Sequence, residues 1–521
     1  MKPMVLTVVD TTGIQAYVFG TNSLQQNIGA SYLVDCATRS WAIAALPGTH
    51  NVLNLDDPQN AFDSRKIENS QIDAEVVYAG GGNIVILFST INLAQEFTRN
   101  LSRRVLLEAP GLKIVVVHKE FDWDSETLGS QSGVVQAAMR ELAQKKAHPP
   151  VSVIQPGLAV TAACDFTGTP AVGLSQGNLV SAESLAKLEC EQFARDRLTR
   201  LFNFHGFGAP PRNFDELGAT KGEKSYLAII HIDGNGMGAR IERIRDHPDH
   251  QSPSGNRNYI EAQRAFSLSV QKAAHTAMQS TIDLLANNVE PDYTIGHIIQ
   301  LSGNRLPFRP IVFGGDDTTF ICDGRIGLSL AKHYIQEYSS QNLSDSAPAH
   351  CRAGISIVQS HYPFSRAYDL AEKLCSSAKE FILEQGDGIS AMDWHYATSG
   401  VIFELKEIRQ REYLVSDGDL TMRPIRITAG GSTWRTWSNF ENVVTEFQGG
   451  RTWAGSHNKV KALRSALRSG EVAVNNFLKL YQIEALPQMA NWSTSDGVAW
   501  HSDRCGYYDA VEIEDFYIPL S

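Results

Sequence analysis

The sequence predicts an α+β protein: one small strand–helix–hairpin–helix–strand unit occurs twice, with a linking domain between the copies and a helical domain at the end. Three observations lead there. Two apolar runs of the buried-strand type, Val5–Val9 and Tyr226–Ile232, each end in an aspartate followed closely by glycine. Each is followed, after helical stretches, by two apolar runs flanking a glycine-rich turn, GGGN at 80–83 and GGDD at 314–317. The texture changes after residue 400 to amphipathic helices with basic turns such as Lys459-Val-Lys-Ala-Leu-Arg. A chain of 521 residues is too long for a single core. The expected domains are 1–125, 126–222, 223–400 and 401–521.

In the first unit, strand Val5–Val9 runs into Asp10-Thr11-Thr12-Gly13, and a helix follows. The segment Asn27-Ile28-Gly29-Ala30-Ser31 reads as a loop opening a second helix. Residues 46–73 are polar and irregular. Then come the hairpin around GGGN, a helix near Leu93–Glu108 and a strand, Lys113–Val117. The linking domain holds a helix at 134–146 and a Pro-rich link at 149–156. The second unit has its strand ending in Asp233-Gly-Asn-Gly-Met-Gly238. A long helical stretch places Phe266, Val270, Ala273, Ala277 and Leu284 at core-facing spacing. The GGDD hairpin and the strand Ala353–Val358 follow. Helix 365–384 carries Ala367, Leu370, Ala371, Leu374, Ala378 and Ile382 on one face.

Composition narrows the function classes. No run approaches the roughly 18 apolar residues needed to cross a bilayer, and the start, MKPMVLTVVDTTG, lacks the features of a secretory signal. Seven scattered cysteines without a CxxC pair fit a reducing cytoplasm. A net charge of −11 argues against a large surface coated by nucleic acid. The basic turns after residue 400 read first as a solvated helix face, and RNA or protein contact is the alternative.

The chemistry concentrates in the second unit. Two glycines admit a tight turn and a close approach of a ligand. Strand alternation keeps Asp316 and Asp317 from both pointing into the core. Adjacent acids at a hairpin tip suit a hard divalent cation; on these four residues alone, a solvated Asp-Asp turn remains open. Asp233, at the end of a neighbouring strand, would make three carboxylates that repel one another unless a metal ion holds them. The Gly234–Gly238 segment offers backbone N–H groups to a triphosphate. Lys379 is a candidate for the outer phosphates, with a routine surface lysine as the alternative.

These residues resemble a family. The second unit is similar to the palm domain of GGDEF cyclases, class III nucleotide cyclases and many polymerases, and more closely to the polymerase–cyclase large subunit of type III CRISPR effectors. The resemblance rests on DGNGMG (233–238), RPIVFGGDDTTFICDG (309–324), HYPFSRAYDLAEKLCSSAK (361–379) and TMRP (421–424), and in the first unit on DTTGIQAYVF (10–19) and NIGASYL (27–33). It implies two ferredoxin-like palms and a synthase that converts ATP into cyclic oligoadenylate, with pyrophosphate released, in antiviral signalling. By position, Asp233, Asp316 and Asp317 would be the catalytic acids holding two Mg2+ or Mn2+ ions. Gly234, Gly314, Gly315 and Lys379 would meet the nucleotide, and Gly29, Ala30 and Ser31 of the acid-free first palm would help hold the acceptor. The partners implied are ATP and small type III subunits with guide and target RNA, or a second copy if the enzyme stands alone. No membrane is implied.

The departures from the family also set expectations. Met1 almost directly precedes the first palm strand, so no HD nuclease and no DNA cleavage are expected. Cys164 is followed by Thr167 where a second cysteine belongs, and Cys190 stands alone, so no zinc is expected. The competing readings are a non-catalytic, nucleotide-binding scaffold of an RNA-guided complex and a template-directed polymerase. The second lacks an obvious basic channel for a duplex.

Overall fold

Strand β1 (Pro3–Thr12) is almost wholly buried and pairs on both sides, with β3 (Asn83–Phe88) and β4 (Lys113–Asp122). With β2 (Ala74–Gly80) it makes an antiparallel sheet in the order β2-β3-β1-β4. The second unit repeats this order with β5 (Tyr226–Gly234), β6 (Phe308–Phe313), β7 (Thr318–Asp323) and β8 (Cys351–Gln359), arranged β6-β7-β5-β8. Strand β9 (Ala391–Tyr396) adds parallel to β8, and the short β10 (Ile425–Arg426) closes that edge. The tandem repeat read from the two glycine turns is thus present as two sheets of one topology. This computed structural model describes residues 2–148, 160–217, 225–386, 388–397, 404–453, 457–493 and 497–521. The Pro-rich link at 149–156 and the boundaries expected at 222 and 400 lie outside the described residues.

The helices follow from side-chain caps and apolar spacing. Helix α1 (Ile14–Phe19) leads into α2 (Leu24–Thr38), whose cap Ser23 accepts from the Gln26 N–H. Thr90 caps α3 (Ile91–Glu108), which buries Ala94, Phe97, Leu101 and Val105 on one face of the first sheet. Helix α4 (Val134–Ala147) buries Val134, Ala138 and Leu142 on the opposite face, against Leu6, Val8, Val85 and Leu87. Although its sequence position suggests the linking domain, α4 packs as part of the first unit. Ser181 caps α5 (Ala182–Leu201), the linking helix that lies along α2.

In the second unit, α6 (Met237–Arg245), α7 (Asn256–Asn287) and α8 (Gly327–Ser339) follow β5 and β7. The face bearing Ala228, Ile230 and Ile232 packs on Phe266, Val270, Ala273, Ala277 and Tyr334; Leu284, expected with them, is only partly buried. The other face, with Leu227, Ile229 and Ile321, takes α9 (Phe364–Gln385), and here one apolar core runs on into the first unit. Gly354 of β8 permits the close approach of α9, because a Cβ there would meet the Ala371 carbonyl oxygen at 1.9 Å.

The C-terminal region contains the expected amphipathic helices Trp437–Gly449, His457–Arg468 and Glu471–Tyr481. It also holds a four-stranded sheet of two-residue strands that the sequence reading did not anticipate. Its core is continuous with the second unit through Trp394, Trp437 and Phe440. No helix among the described residues is long and apolar enough to cross a membrane.

One local expectation is corrected. Asn27–Ser31 is not a loop but the middle of α2. Gly29 allows that helix to touch α5, since a Cβ would lie 1.8 Å from the Lys187 carbonyl oxygen. Gly29→Ala is therefore expected to lower the melting temperature through overpacking of about 1–3 kcal/mol. Thermal unfolding of the two proteins side by side checks this.

Candidate functional site

Strand β5 sits at the centre of its sheet, with β7 on one side and β8 on the other. The register places Ile232 opposite Thr318 and Asp233 opposite Arg352, so the end of β5 meets the GGDD turn from one side and an arginine from the other. Gly234 makes the meeting possible. Its N–H donates to the Asp316 carbonyl at 3.1 Å, and a Cβ on it would lie 2.7 Å from the Asp316 Cβ. Gly315 turns at φ 119°, a conformation that favours glycine.

The three acids have different surroundings. Asp233 accepts from Arg352 Nη2 in a charged hydrogen bond. Burial raises its carboxyl above the ordinary range, Arg352 pulls it back, and Asp316 pushes it up again. Asp316 is also raised, chiefly by burial. Asp317 is the most perturbed: burial first, then Asp233, Asp316 and Glu372, push it up to about 8. Its side chain keeps 47% of its surface open, yet Oδ1 is enclosed and has no hydrogen-bond partner. His231, one strand away with Nδ1 3.5 Å from that oxygen, is held at about 4 by burial and is neutral at physiological pH.

Helix α9 roofs this face. Tyr368 stands edge-on to His231, and Glu372 accepts from Gln15 of the first unit at 2.8 Å. Lys379 is exposed two turns further along, and its charge still reaches Asp233. The first unit approaches from the other side, where the Gly81 N–H donates to the Gly314 carbonyl at 3.1 Å, so the two glycine turns touch. Beside them opens a crevice of ≈ 220 Å³, lined among others by Gly81, Asn83, Gln263, Phe266, Gly315 and Asp316. It is smaller than most enclosed small-molecule sites and is open to solvent.

Asp233, Gly234, Gly314, Gly315, Asp316 and Asp317 thus come together, with Lys379 at the rim. Gly29, Ala30 and Ser31 do not join them. Gly29 packs on Lys187, Ala30 is fully buried, and Ser31 lines a separate small cleft with Arg309 and Phe313. The sequence reading missed Arg352, His231, Glu372 and the crevice residues Asn83 and Gln263. A charged residue interrupting the apolar run of β8 was the one available signal for Arg352.

The residues suit a hard cation in part. Among the described residues no group of three His, Cys, Asp or Glu side chains is gathered as a ready-made metal cage. Mg2+ commonly needs only one or two carboxylates, with substrate phosphates completing its shell. Asp316 and Asp317 fit that role, and the unpartnered Oδ1 of Asp317 is an oxygen that a cation would satisfy.

Comparison with known proteins agrees with this geometry. Residues 226–384 match the family model of the second palm domain of Cas10/Cmr2. This segment is a Cas10/Cmr2 second palm domain. The match bears out the family read from the sequence. No curated protein matches the chain. Solved structures share the fold at low identity. A Csm1–Csm4 cassette in complex with cA4 is 11% identical, with a TM-score of 0.53 over 99% of this chain and 70% of that one. A Csm1–Csm4 cassette in complex with AMPPNP is 12% identical, with a TM-score of 0.51 over 98% and 69%. Csm1 of T. onnurineus is 11% identical, with a TM-score of 0.52 over 98% and 69%. The likeness of fold extends over nearly the whole chain.

Proposed function

We propose that the chain is a metal-dependent nucleotidyltransferase that joins ATP into cyclic oligoadenylate and releases pyrophosphate, as a cytoplasmic component of type III CRISPR-like antiviral defence. The observation that carries this is the GGDD turn: two carboxylates of a Cas10/Cmr2-type palm, one with a buried unpartnered oxygen, at a crevice closed by a second copy of the fold. The complexes of fold relatives with cA4 and with AMPPNP support the choice of product and substrate. The pairing of Csm1 with Csm4 in the same structures supports a small type III subunit as partner. Guide and target RNA are the further partners that the sequence resemblance implies.

In this reading a ribose hydroxyl of one nucleotide attacks the α-phosphorus of the next. The new P–O bond forms as the bond to pyrophosphate breaks, and the hydroxyl proton passes to water. Bound Mg2+ or Mn2+, held by Asp316 and Asp317, would neutralise charge on the transferring phosphoryl group. The open Gly314–Gly315 backbone admits the phosphates, and Lys379 meets the outer ones at the rim. Neutral His231 keeps the floor of the site free of a competing positive charge. The touching turns of the two palms align the acceptor nucleotide with the donor.

The test is incubation of the purified protein with ATP and Mg2+ or Mn2+, alone and with its RNA-bound assembly, beside Asp316→Ala/Asp317→Ala. Cyclic products and pyrophosphate are expected from the wild type and not from the double variant. Silence from the wild type in every condition, with nucleotide still bound, would leave a scaffold instead.

A further inference from the structure

Arg352 occupies a built position rather than a surface one. Its side chain is 12% exposed, and three acceptors hold it: the Asp233 carboxylate, the Gly234 carbonyl at 3.2 Å and Asn235 Oδ1 at 2.9 Å. Asn235 is fixed in turn, since its Nδ2 donates to the Ile389 carbonyl at 3.0 Å and its N–H to the His350 carbonyl at 2.8 Å. A guanidinium cannot lose its proton in a protein, so a permanent positive charge sits at the end of β5. The carboxylate that would complete a cage for a second metal ion is already engaged.

The same solution recurs in the first palm. Asp10, the last residue of β1 to pair with β3, lies opposite Asn83 of the GGGN turn, as Asp233 lies beside the GGDD turn. It is paired with Lys146 of α4. The two cations come from different elements, a sheet strand in one palm and a covering helix in the other. In both palms the aspartate near the end of the first strand is neutralised by a side chain of the chain itself.

We propose that Arg352 serves as the second cation of the synthase site, so that the acids take up one divalent ion, at Asp316 and Asp317, instead of two. This rests on the nucleotidyltransferase reading and deepens it. Asp233 then acts as a positioning residue that anchors Arg352 beside the phosphates. A planar guanidinium suits that place, because it recognises phosphate oxygens through paired donors.

Metal stoichiometry tests this without reference to turnover. The full-length protein, free of nucleotide, is titrated with Mn2+ while the free ion is followed by electron paramagnetic resonance. One ion per chain is expected. Asp317→Asn should weaken its binding by more than about tenfold, whereas the isosteric Asp233→Asn should change it by no more than about twofold. Arg352→Met, its fold checked by thermal melting, should free Asp233 and admit a further ion. If Arg352→Met fails to fold, the Asp233→Asn arm alone decides. Two ions in the wild type, or equal losses in Asp233→Asn and Asp317→Asn, would overturn the inference and leave the synthase reading standing. No Mn2+ uptake with or without AMPPNP would count against the metal-dependent synthase itself.

Discussion

Asp317→Asn is expected to lower pyrophosphate release from ATP by at least about 10²- to 10³-fold, the scale of losing a principal electrostatic contact to a transition state. The same substitution is expected to stabilise the metal-free protein. Burial and the neighbouring acids raise the Asp317 carboxyl from 3.8 to about 8 in the folded chain. A raised folded value means that stability is highest below the unfolded value and declines as pH rises towards the folded one. The advantage of Asn, which never ionises, should therefore appear above about pH 4, grow up to about pH 8 and then level off. Because 47% of the side chain is open, solvent screens much of the effect, leaving a gain on the order of 1 kcal/mol. Mn2+ should reverse the order, since the ion stabilises only the chain that binds it. Thermal melts across this pH range, with chelator and with Mn2+, check all three parts. Identical melting of the two proteins at every pH would refute the account of crowded acids.

Much of the site was legible because it is written in local signals. Strand runs ending in Asp10 and Asp233, and glycine turns at 80–83 and 314–317, mark hairpins without any knowledge of the fold. What escaped depends on partners distant in the chain. Arg352 lies 119 residues from Asp233, and only the sheet register brings them opposite each other. Likewise α4 follows the first unit's last strand, and nothing local says that it folds back to bring Lys146 to Asp10. Asn27–Ser31 looked like a loop because asparagine, glycine and serine are weak helix formers. Contact with α5 overrides that preference, and the same glycine that lowers it makes the contact possible. The two-residue strands of the C-terminal sheet are too short to show any period.

The wall of the crevice gives the second large effect. Glu75 on β2 has no exposed surface and receives Arg257 at 2.7 and 2.9 Å and Arg264 at 2.8 Å. Both arginines belong to α7 of the second palm, so this buried cluster joins α7 to the first palm. On either side of it lie crevice residues, Tyr78 and Gly80 on β2 and Gln263 and Phe266 on α7. Glu75→Ala is expected to destabilise the protein by about 3 kcal/mol, because mostly buried Arg264 loses its carboxylate and Arg257 keeps only Glu68. Burial alone would raise the Glu75 carboxyl, but Arg257 and then Arg264 hold it below 4.5. Its contribution is therefore complete above that value and is lost as pH falls through the lowered one. Denaturant unfolding at neutral and acidic pH measures both, with the wild type and Glu75→Ala converging at low pH. If the cluster also sets the width of the crevice, the variant at a permissive temperature should show a raised KM for ATP with kcat less changed. A large loss of stability with an unchanged KM would mean that contact between the glycine turns, and not this strut, fixes how the palms face each other.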